Sequence, residues 1–205
     1  VRSLVSAPLH AIVNTHSHYD HVLGNPIVLR DLGPAPVIAH EDTAAHGVPA
    51  DRTFSSALTL DLGDRQVELV HPGRGHTGGD LVVRVPDADL VLAGDLVEES
   101  AAPSFGDDCH PMDWPFTLDL VLQLIGPDTV VVPGHGAPVG REFVQEQRSA
   151  IGVVAETIRG LADRGVPADQ ALDQATWPYP KEGLVEAVRR GYEQVPVAPR
   201  QLPLV

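Results

Sequence analysis

Short apolar stretches, each ended by glycine, proline or a charged residue, dominate the first two thirds of the chain. Their lengths of about four to eight residues and their many β-branched side chains are typical of buried β-strands. Two of them flank a turn at Gly63 and Asp64, which is the pattern of a β-hairpin, and two more flank residues 86–89. The predicted strands span residues 11–14, 36–39, 59–62, 67–70, 81–85, 90–93 and 129–132.

A helical spacing of apolar residues replaces this pattern towards the end of the chain. Intervals of three, four or seven predict one buried face on a helix over residues 142–164, formed by Val144, Ile151, Val154, Ile158 and Leu161. Further predicted segments are helices at 117–125, 168–175 and 182–193, a helical or mixed stretch at 22–32, and a tail marked by Pro196, Pro199 and Pro203. Strands with helices between and after them indicate a mixed α/β fold. We divide it into a domain over residues 1–140 and a helical section over residues 141–205 that packs on the same domain.

The composition argues against several classes of partner. The chain carries 28 acidic and 14 basic residues, and this net charge of −14 disfavours a nucleic-acid surface or an anionic membrane as the partner. No apolar run approaches the roughly 20 residues that a membrane-spanning helix needs. We therefore expect a small-molecule substrate, while the sequence leaves the oligomeric state open.

Cysteine usage bears on the compartment. Cys109 is the single cysteine, so no disulfide can form within the chain. This fits a reducing compartment, and we expect a cytoplasmic protein. Removal of a signal peptide stays an open alternative, because the chain begins at Val1 and its one methionine is Met112.

Four of the predicted strands lead into loops that carry histidine or aspartate. The first leads into T-H-S-H-Y-D-H at residues 15–21, and the second into G-H-T-G-G-D at residues 75–80. The third ends in G-D at residues 94–95, and the fourth in P-G-H-G at residues 133–136. Because loops at the ends of neighbouring strands can converge at one edge of a sheet, we expect these side chains to meet. They are His16, His18, Asp20, His21, His76, Asp95 and His135.

The first of these loops has the side chains for binding metal. Imidazole and carboxylate groups are ligands for divalent cations when their donor atoms are deprotonated. His16 and His18 are two residues apart and point to the same side of an extended chain, and Asp20 continues that side. His21 lies at the turn that follows, so this one loop can serve two metal ions.

The other loops complete the predicted site. His76 and His135 would each complete one metal, and Asp95 would bridge both. Seven nitrogen and oxygen donors without a suitable cysteine favour zinc, with iron or manganese as alternatives.

In this order the four motifs resemble those of the metallo-β-lactamase superfamily, over about residues 12–135. The resemblance implies an α/β fold of the αββα sandwich type and two divalent metal ions. It also implies two ligand groups and one shared carboxylate: His16, His18 and His76; Asp20, His21 and His135; and the bridging Asp95.

Two features depart from the family pattern. Only 15 residues precede His16, where family members have several strands, so we expect the N-terminal strands of the sandwich to be lacking. Asp95 stands where the class B1 and B2 β-lactamases have a cysteine ligand. This second feature makes the chain more similar to the glyoxalase II-like branch, which has a bridging aspartate.

The resemblance implies a dinuclear-metal hydrolase, in which a hydroxide that bridges the metals attacks a thioester, a lactone or another small ester. Asp20 and Asp95 are the expected catalytic residues, and Asp20 would orient the hydroxide or accept its proton. Two rival functions stay open. One is β-lactam hydrolysis as in the class B3 enzymes, and the other is a persulfide dioxygenase-like oxidation at a single iron.

The other conspicuous residues are expected to have structural roles. The letters G-R-G-H-T-G at residues 73–78 match a dinucleotide fingerprint, but a predicted strand follows them where that motif needs a helix. Glu98 and Glu99 are expected to be solvated. We further expect a structural His71, an unreactive Cys109 and a core position for Trp114. His110 is expected in a solvated loop, with a position that lines the pocket as the alternative.

Overall fold

The computed structural model describes residues 7–195 and shows two β-sheets with helices around them. The strands are β1 (Ile12–Val13), β2 (Val37–His40), β3 (Arg52–Phe54), β4 (Ala57–Asp61), β5 (Gln66–Val70), β6 (Val82–Val85), β7 (Leu90–Glu98) and β8 (Val130–His135). The helices are α1 (Tyr19–Val22), α2 (Asn25–Leu32), α3 (Glu41–Ala45), α4 (Trp114–Leu124), α5 (Arg141–Asp163), α6 (Ala168–Ala171) and α7 (Val185–Gln194). The expected tail with Pro196, Pro199 and Pro203 lies outside the described residues.

The two sheets differ in strand direction. Strands β1, β2 and β3 form a parallel sheet in that order. Strands β4 to β8 form the second sheet in sequence order, antiparallel as far as β7, with β8 parallel to β7. Because β7 and β8 run in the same direction, Asp95 and His135, near their carboxyl ends, lie at one edge of this sheet.

Strand β7 comes very close to the first histidine loop at Gly94. The register between β7 and β8 shifts here, and Gly94 adopts a φ of +54°, which non-glycine residues rarely adopt. A Cβ at this position would lie 2.9 Å from the Cβ of Thr15, well inside van der Waals contact. Glycine therefore lets the third motif pack directly against the loop that carries the first.

Two apolar clusters hold the layers together. Ile38 of the first sheet packs with Leu60 and Leu69 of the second, and this small cluster joins the sheets. The larger cluster lies between the second sheet and helices α4, α5 and α7, and it includes Val91 and Ile158. The predicted α/β fold with an αββα arrangement is confirmed, and both predicted hairpins are present.

The structure also differs from the predicted elements in several places. Strand β3 and helix α3 were not predicted, because three and five residues are too few to show a periodicity. The helix expected over residues 168–175 ends at Ala171, and the indole of Trp177 donates a hydrogen bond back to the Leu172 carbonyl in the turn that follows. The helix expected over residues 182–193 begins as a short 3₁₀ helix, Lys181–Leu184, before α7.

Helix α5 begins at Arg141 and buries Ile151, Val154 and Ile158 in the same core as β7. The division into sections over residues 1–140 and 141–205 stays a prediction, and both of its outer ends lie outside the described range. Within residues 7–195, no helix is both long enough and apolar enough to span a bilayer.

Candidate metal centre

The first histidine loop leaves β1 in an extended conformation and then becomes helical. His18 is the extended N-cap of α1, whereas Asp20 and His21 lie within that helix. The prediction that Asp20 continues the extended side of His18 is therefore wrong. Buried Asn14 fixes the helix, because its amide donates to the His21 carbonyl at 3.1 Å and its side-chain oxygen accepts from Asn25 at 2.8 Å.

The second loop is held by a buried carboxylate. The Asp80 side chain accepts hydrogen bonds from the backbone N–H of Thr77 at 2.9 Å and from its hydroxyl at 2.8 Å. Burial raises the pKa of Asp80 to about 7. The neighbouring His76 is 1% exposed and lies 2.9 Å, through Nδ1, from the Ser104 carbonyl, which can only accept a hydrogen bond. His76 is thus the Nδ1–H tautomer, and its Nε2 is available as a metal donor.

Three histidines and one aspartate form the first donor group. One donor atom from each of His16, His18, His76 and Asp95 lies within 4.8 Å of all the others. The Nε2 of His76 is 2.8 Å from the Nδ1 of His18 and 3.4 Å from Asp95 Oδ2, and His16 Nε2 is 3.7 Å from the same oxygen. These spacings allow all four donors to contact one small cation.

The second donor group lies next to the first. Asp20, His21 and His135 also place donor atoms within 4.8 Å of one another. The Nε2 of His135 is 3.2 Å from Asp20 Oδ2 and 3.5 Å from Asp95 Oδ2, while His21 Nε2 is 3.1 Å from Asp95 Oδ1. Asp95 therefore contacts members of both groups, and the structure brings together all seven residues singled out in the sequence.

Two orphaned atoms show that these residues fit a cation. Among the residues that the structure describes, His16 Nε2 and Asp95 Oδ1 are the buried side-chain polar atoms without a hydrogen bond of good geometry, although His21 Nε2 lies 3.1 Å from Asp95 Oδ1. Buried polar atoms normally have a partner, and a lone pair on each of these atoms is what a metal ion would satisfy. The donor set and the orphaned atoms therefore both fit bound divalent metal.

The protonation states of the buried donors suit the same conclusion. Burial lowers the pKa of His16 to about 2 and also lowers that of His76, so both imidazoles are neutral near pH 7. Burial alone would raise the pKa of Asp95, but the His21 imidazole and the other nearby rings lower it to about 2. Neutral imidazole and ionised carboxylate are the forms that bind metal.

Glu98 is not solvated, so that prediction is wrong. It is 6% exposed, and its Oε1 accepts hydrogen bonds from the backbone N–H and the hydroxyl of Ser100. One of its carboxylate oxygens also lies within 4.8 Å of donor atoms of Asp95 and His135. The strand pattern missed it because β7 continues past Asp95 to Glu98, and this end of the strand is covered on both sides.

The remaining predictions on individual residues are mostly confirmed. His71 stacks on His40 at 4.0 Å, away from the donor groups. Trp114 is fully buried, and burial raises the pKa of the Cys109 thiol to about 12, which makes it unreactive. His110 is partly buried and lines a cavity together with Thr77 and Asp108, which is the alternative to the solvated position that we favoured.

Sequence reasoning missed two residues that support the site. Asn14 holds helix α1, and Asp108 places its carboxylate 3.2 Å from His18 Nε2. No motif spacing indicates either residue, because both act through contacts made only after folding; 90 positions separate Asp108 from His18.

An αββα sandwich with histidines and aspartates gathered at one sheet edge defines a class of metal-binding proteins. Comparison with known families assigns the chain within that class. The family profile described as the metallo-beta-lactamase superfamily matches residues 6–135, and the chain belongs to this superfamily.

Individual relatives carry different activities in their names. The chain is 27% identical over 134 residues to a metallo-beta-lactamase type 2 of Bacillus cereus, an alignment that covers 61% of the chain and 51% of the relative. It is 29% identical over 176 residues to a hydroxyacylglutathione hydrolase of Brucella anthropi, covering 82% and 66%. A solved metallo-beta-lactamase structure from Pontibacter korlensis matches with a TM-score of 0.65 and 30% identity, covering 74% of this chain and 73% of that one. The chain thus spans about half the length of the Bacillus relative.

Gly134 gives a direct test of how tightly the centre is packed. A Cβ at this position would overlap Asp95 Oδ1 and lie 2.9 Å from the Gly94 carbonyl carbon, so Gly134→Ala must displace the shared carboxylate. We expect zinc affinity to fall by roughly 10-fold or more, as for other changes that misplace ligands. Competition with a chromophoric chelator measures this, and Gly140→Ala, where nothing lies within 4 Å, is the control. Equal affinity in both variants would contradict the prediction.

Proposed function

We propose that this chain forms the catalytic centre of a dinuclear-metal hydrolase, with zinc as the favoured metal, that cleaves a thioester, a lactone or another small ester. The observation that carries the proposal is the convergence of seven donors into two adjacent groups that share Asp95. Members of the superfamily are mostly metal-dependent hydrolases, which supports the same reaction class.

The two groups would hold one metal each. His16, His18 and His76 would bind the first ion and Asp20, His21 and His135 the second, with Asp95 shared. Nitrogen and oxygen donors without thiolate suit zinc, and they also allow iron or manganese. Bound divalent metal would supply a water molecule ionised near neutral pH and a Lewis acid for the carbonyl oxygen of the substrate.

The protein side chains would orient the nucleophile and accept its proton in this reaction. Of the two aspartates among the donors, Asp20 is the more exposed, with 36% of its side chain exposed against 8% for Asp95. It lies where it can orient a nucleophile and accept its proton, with Oδ2 3.2 Å from His135 Nε2. The surrounding imidazoles lower the pKa of Asp95, so this carboxylate stays ionised and can contact both donor groups.

The cleft beside the donors carries charges of both signs. A cavity of about 160 Å³ is lined by Ser17, Thr77 and Asp108 next to the donor groups, and by the guanidinium groups of Arg74 and Arg190. Both guanidinium groups already lie in ion pairs, Arg74 with Asp113 at 2.6 Å and Arg190 with Glu193 at 3.0 Å, and Asp42 adds a second carboxylate to the lining. Another cavity, of about 580 Å³ between α4 and α5, contains none of the donors and is not the proposed site.

Asp95 supports esters and thioesters over β-lactams as substrates. It occupies the position that holds a cysteine in some β-lactamases that the sequence resembles, and the one cysteine of this chain is buried elsewhere. Relatives named hydroxyacylglutathione hydrolase support the same choice of substrate class. β-Lactam hydrolysis is the second candidate, because relatives named metallo-beta-lactamase match as well.

The substrate class is tested on the full-length protein, stripped with a chelator and reloaded with zinc. The panel consists of an acyl-glutathione thioester, a homoserine lactone and a chromogenic β-lactam. We expect turnover of the thioester or the lactone that is lost on chelation and returns with zinc. Turnover of the β-lactam alone would replace our proposal by the rival. In a parallel sample reloaded with iron and given a persulfide, oxygen consumption at one bound iron per chain would replace it by a dioxygenase. A zinc-loaded protein that hydrolyses nothing in the panel would also count against it.

A further inference from the structure

Asp108 lies against the outer side of one metal-donor histidine. Its Oδ2 is 3.2 Å and its Oδ1 3.4 Å from the Nε2 of His18. The other ring nitrogen of His18, Nδ1, points to the donor group and is 2.8 Å from His76 Nε2. One imidazole therefore bridges a carboxylate on one side and the candidate metal position on the other.

This arrangement settles which nitrogen of His18 faces a metal. A carboxylate accepts a hydrogen bond, so Nε2 carries the proton and Nδ1 keeps its lone pair for the cation. Such outer carboxylates orient a metal-binding imidazole and make it more basic. His76 has an equivalent partner in the Ser104 carbonyl, but the partner of His18 is a full negative charge.

Helix α7 holds the loop that carries Asp108. The Arg190 Nε donates to the Cys109 carbonyl at 3.1 Å, and the Gln194 amide donates to the same oxygen at 3.3 Å. Arg189 reaches the Asp107 carbonyl at 3.4 Å. The carbonyls on both sides of Asp108 are thus held by side chains from the end of the described chain.

We propose that Asp108 is a positioning residue for the metal centre, held by helix α7, that fixes the tautomer and direction of His18. The inference rests on the proposed metal centre and deepens it. It also gives the helical C-terminal section a role in the site, since α7 lies more than 165 residues along the chain from His18.

Zinc competition with a chromophoric chelator tests the inference on the full-length protein. Asp108→Ala is expected to weaken binding of the ion at His16, His18 and His76 by roughly 10- to 100-fold and to leave the second ion within a few-fold of wild type. Asp108→Asn keeps an acceptor oxygen without the charge and should fall between wild type and alanine. Arg190→Met should weaken the same ion by a smaller factor. Asp107→Ala, which removes an exposed carboxylate one position away, is the matched control and should bind as wild type.

A second readout separates positioning from general damage to the fold. In zinc-loaded wild type, NMR should show a ring N–H proton of His18 that is protected from exchange by Asp108, and this signal should be lost in Asp108→Ala while the melting temperature of the apo protein is unchanged. Wild-type affinity in Asp108→Ala, or an equal loss in Asp107→Ala, would overturn the inference, and wild-type affinity in Arg190→Met would overturn the role of α7. Wild-type protein that binds no zinc would instead contradict the proposed function itself.

Discussion

Replacing Asp95 by alanine is expected to abolish hydrolysis and to lower zinc affinity by more than about 100-fold. This loss exceeds the one expected for Asp108→Ala, which removes only a side chain that orients a metal donor. The reason is that Asp95 Oδ2 lies 3.4 Å from His76 Nε2 and 3.5 Å from His135 Nε2, so one carboxylate contacts both donor groups. Its removal would also take away the carboxylate that lies 3.7 Å from His16 Nε2 and 3.4 Å from His76 Nε2. The zinc content after dialysis and the turnover number of the reloaded protein measure the two effects.

The control for Asp95→Ala is the removal of an exposed surface carboxylate. Asp87 forms an exposed ion pair with Arg65 at the surface, with about half of each side chain exposed, so Asp87→Ala should retain both zinc ions and full turnover. An Asp95→Ala protein that keeps two zinc ions and its activity would show that this carboxylate is not shared between metals.

Replacing Trp114 by alanine is expected to lower the free energy of unfolding by about 3 to 5 kcal/mol, which is the range for removing a large buried aromatic side chain. Trp114 is 0% exposed, packs against Phe105 with ring centroids 5.1 Å apart, and donates from its indole to the Leu96 carbonyl at 3.2 Å. The change would leave a cavity, while the Leu96 carbonyl would keep the hydrogen bond that the Gln147 amide donates to it at 2.8 Å. It would also remove support behind His76, whose ring lies 5.8 Å away.

Urea denaturation of the apo protein measures this loss without a contribution from bound metal. Phe116→Ala is the matched control, because Phe116 lies in the same helix and is 60% exposed; we expect a change within about 0.5 kcal/mol. A loss below about 1 kcal/mol for Trp114→Ala would mean that the core between the second sheet and α4 is repacked rather than emptied.

The sequence predicted the donors because each lies at a recognisable boundary. An apolar strand precedes every motif, and chain direction forces the ends of β7 and β8 to one edge, where Asp95 and His135 meet. Short apolar runs on either side of a turn also sufficed for the two hairpins, and a helical spacing of apolar residues sufficed for α5, where the buried face is regular over 23 residues. These features depend on local sequence, and local sequence is what periodicity measures.

What the sequence could not predict depends on tertiary contacts. Asp20 became helical because the buried Asn14 amide anchors the end of α1, which an extended-chain argument ignores. Glu98 was expected in solvent, yet neighbouring elements cover it. Asp108 belongs to no motif, and only folding brings it to His18. Residues that orient a ligand are therefore harder to find from sequence than the ligands themselves.

Zinc-edge anomalous diffraction from crystals of the full-length protein is the most direct test of the central claim. We expect two peaks, one among His16, His18 and His76 and one among Asp20, His21 and His135, with Asp95 in contact with both. A map without peaks at these side chains, in crystals grown with excess zinc, would contradict the metal centre and the hydrolase that depends on it.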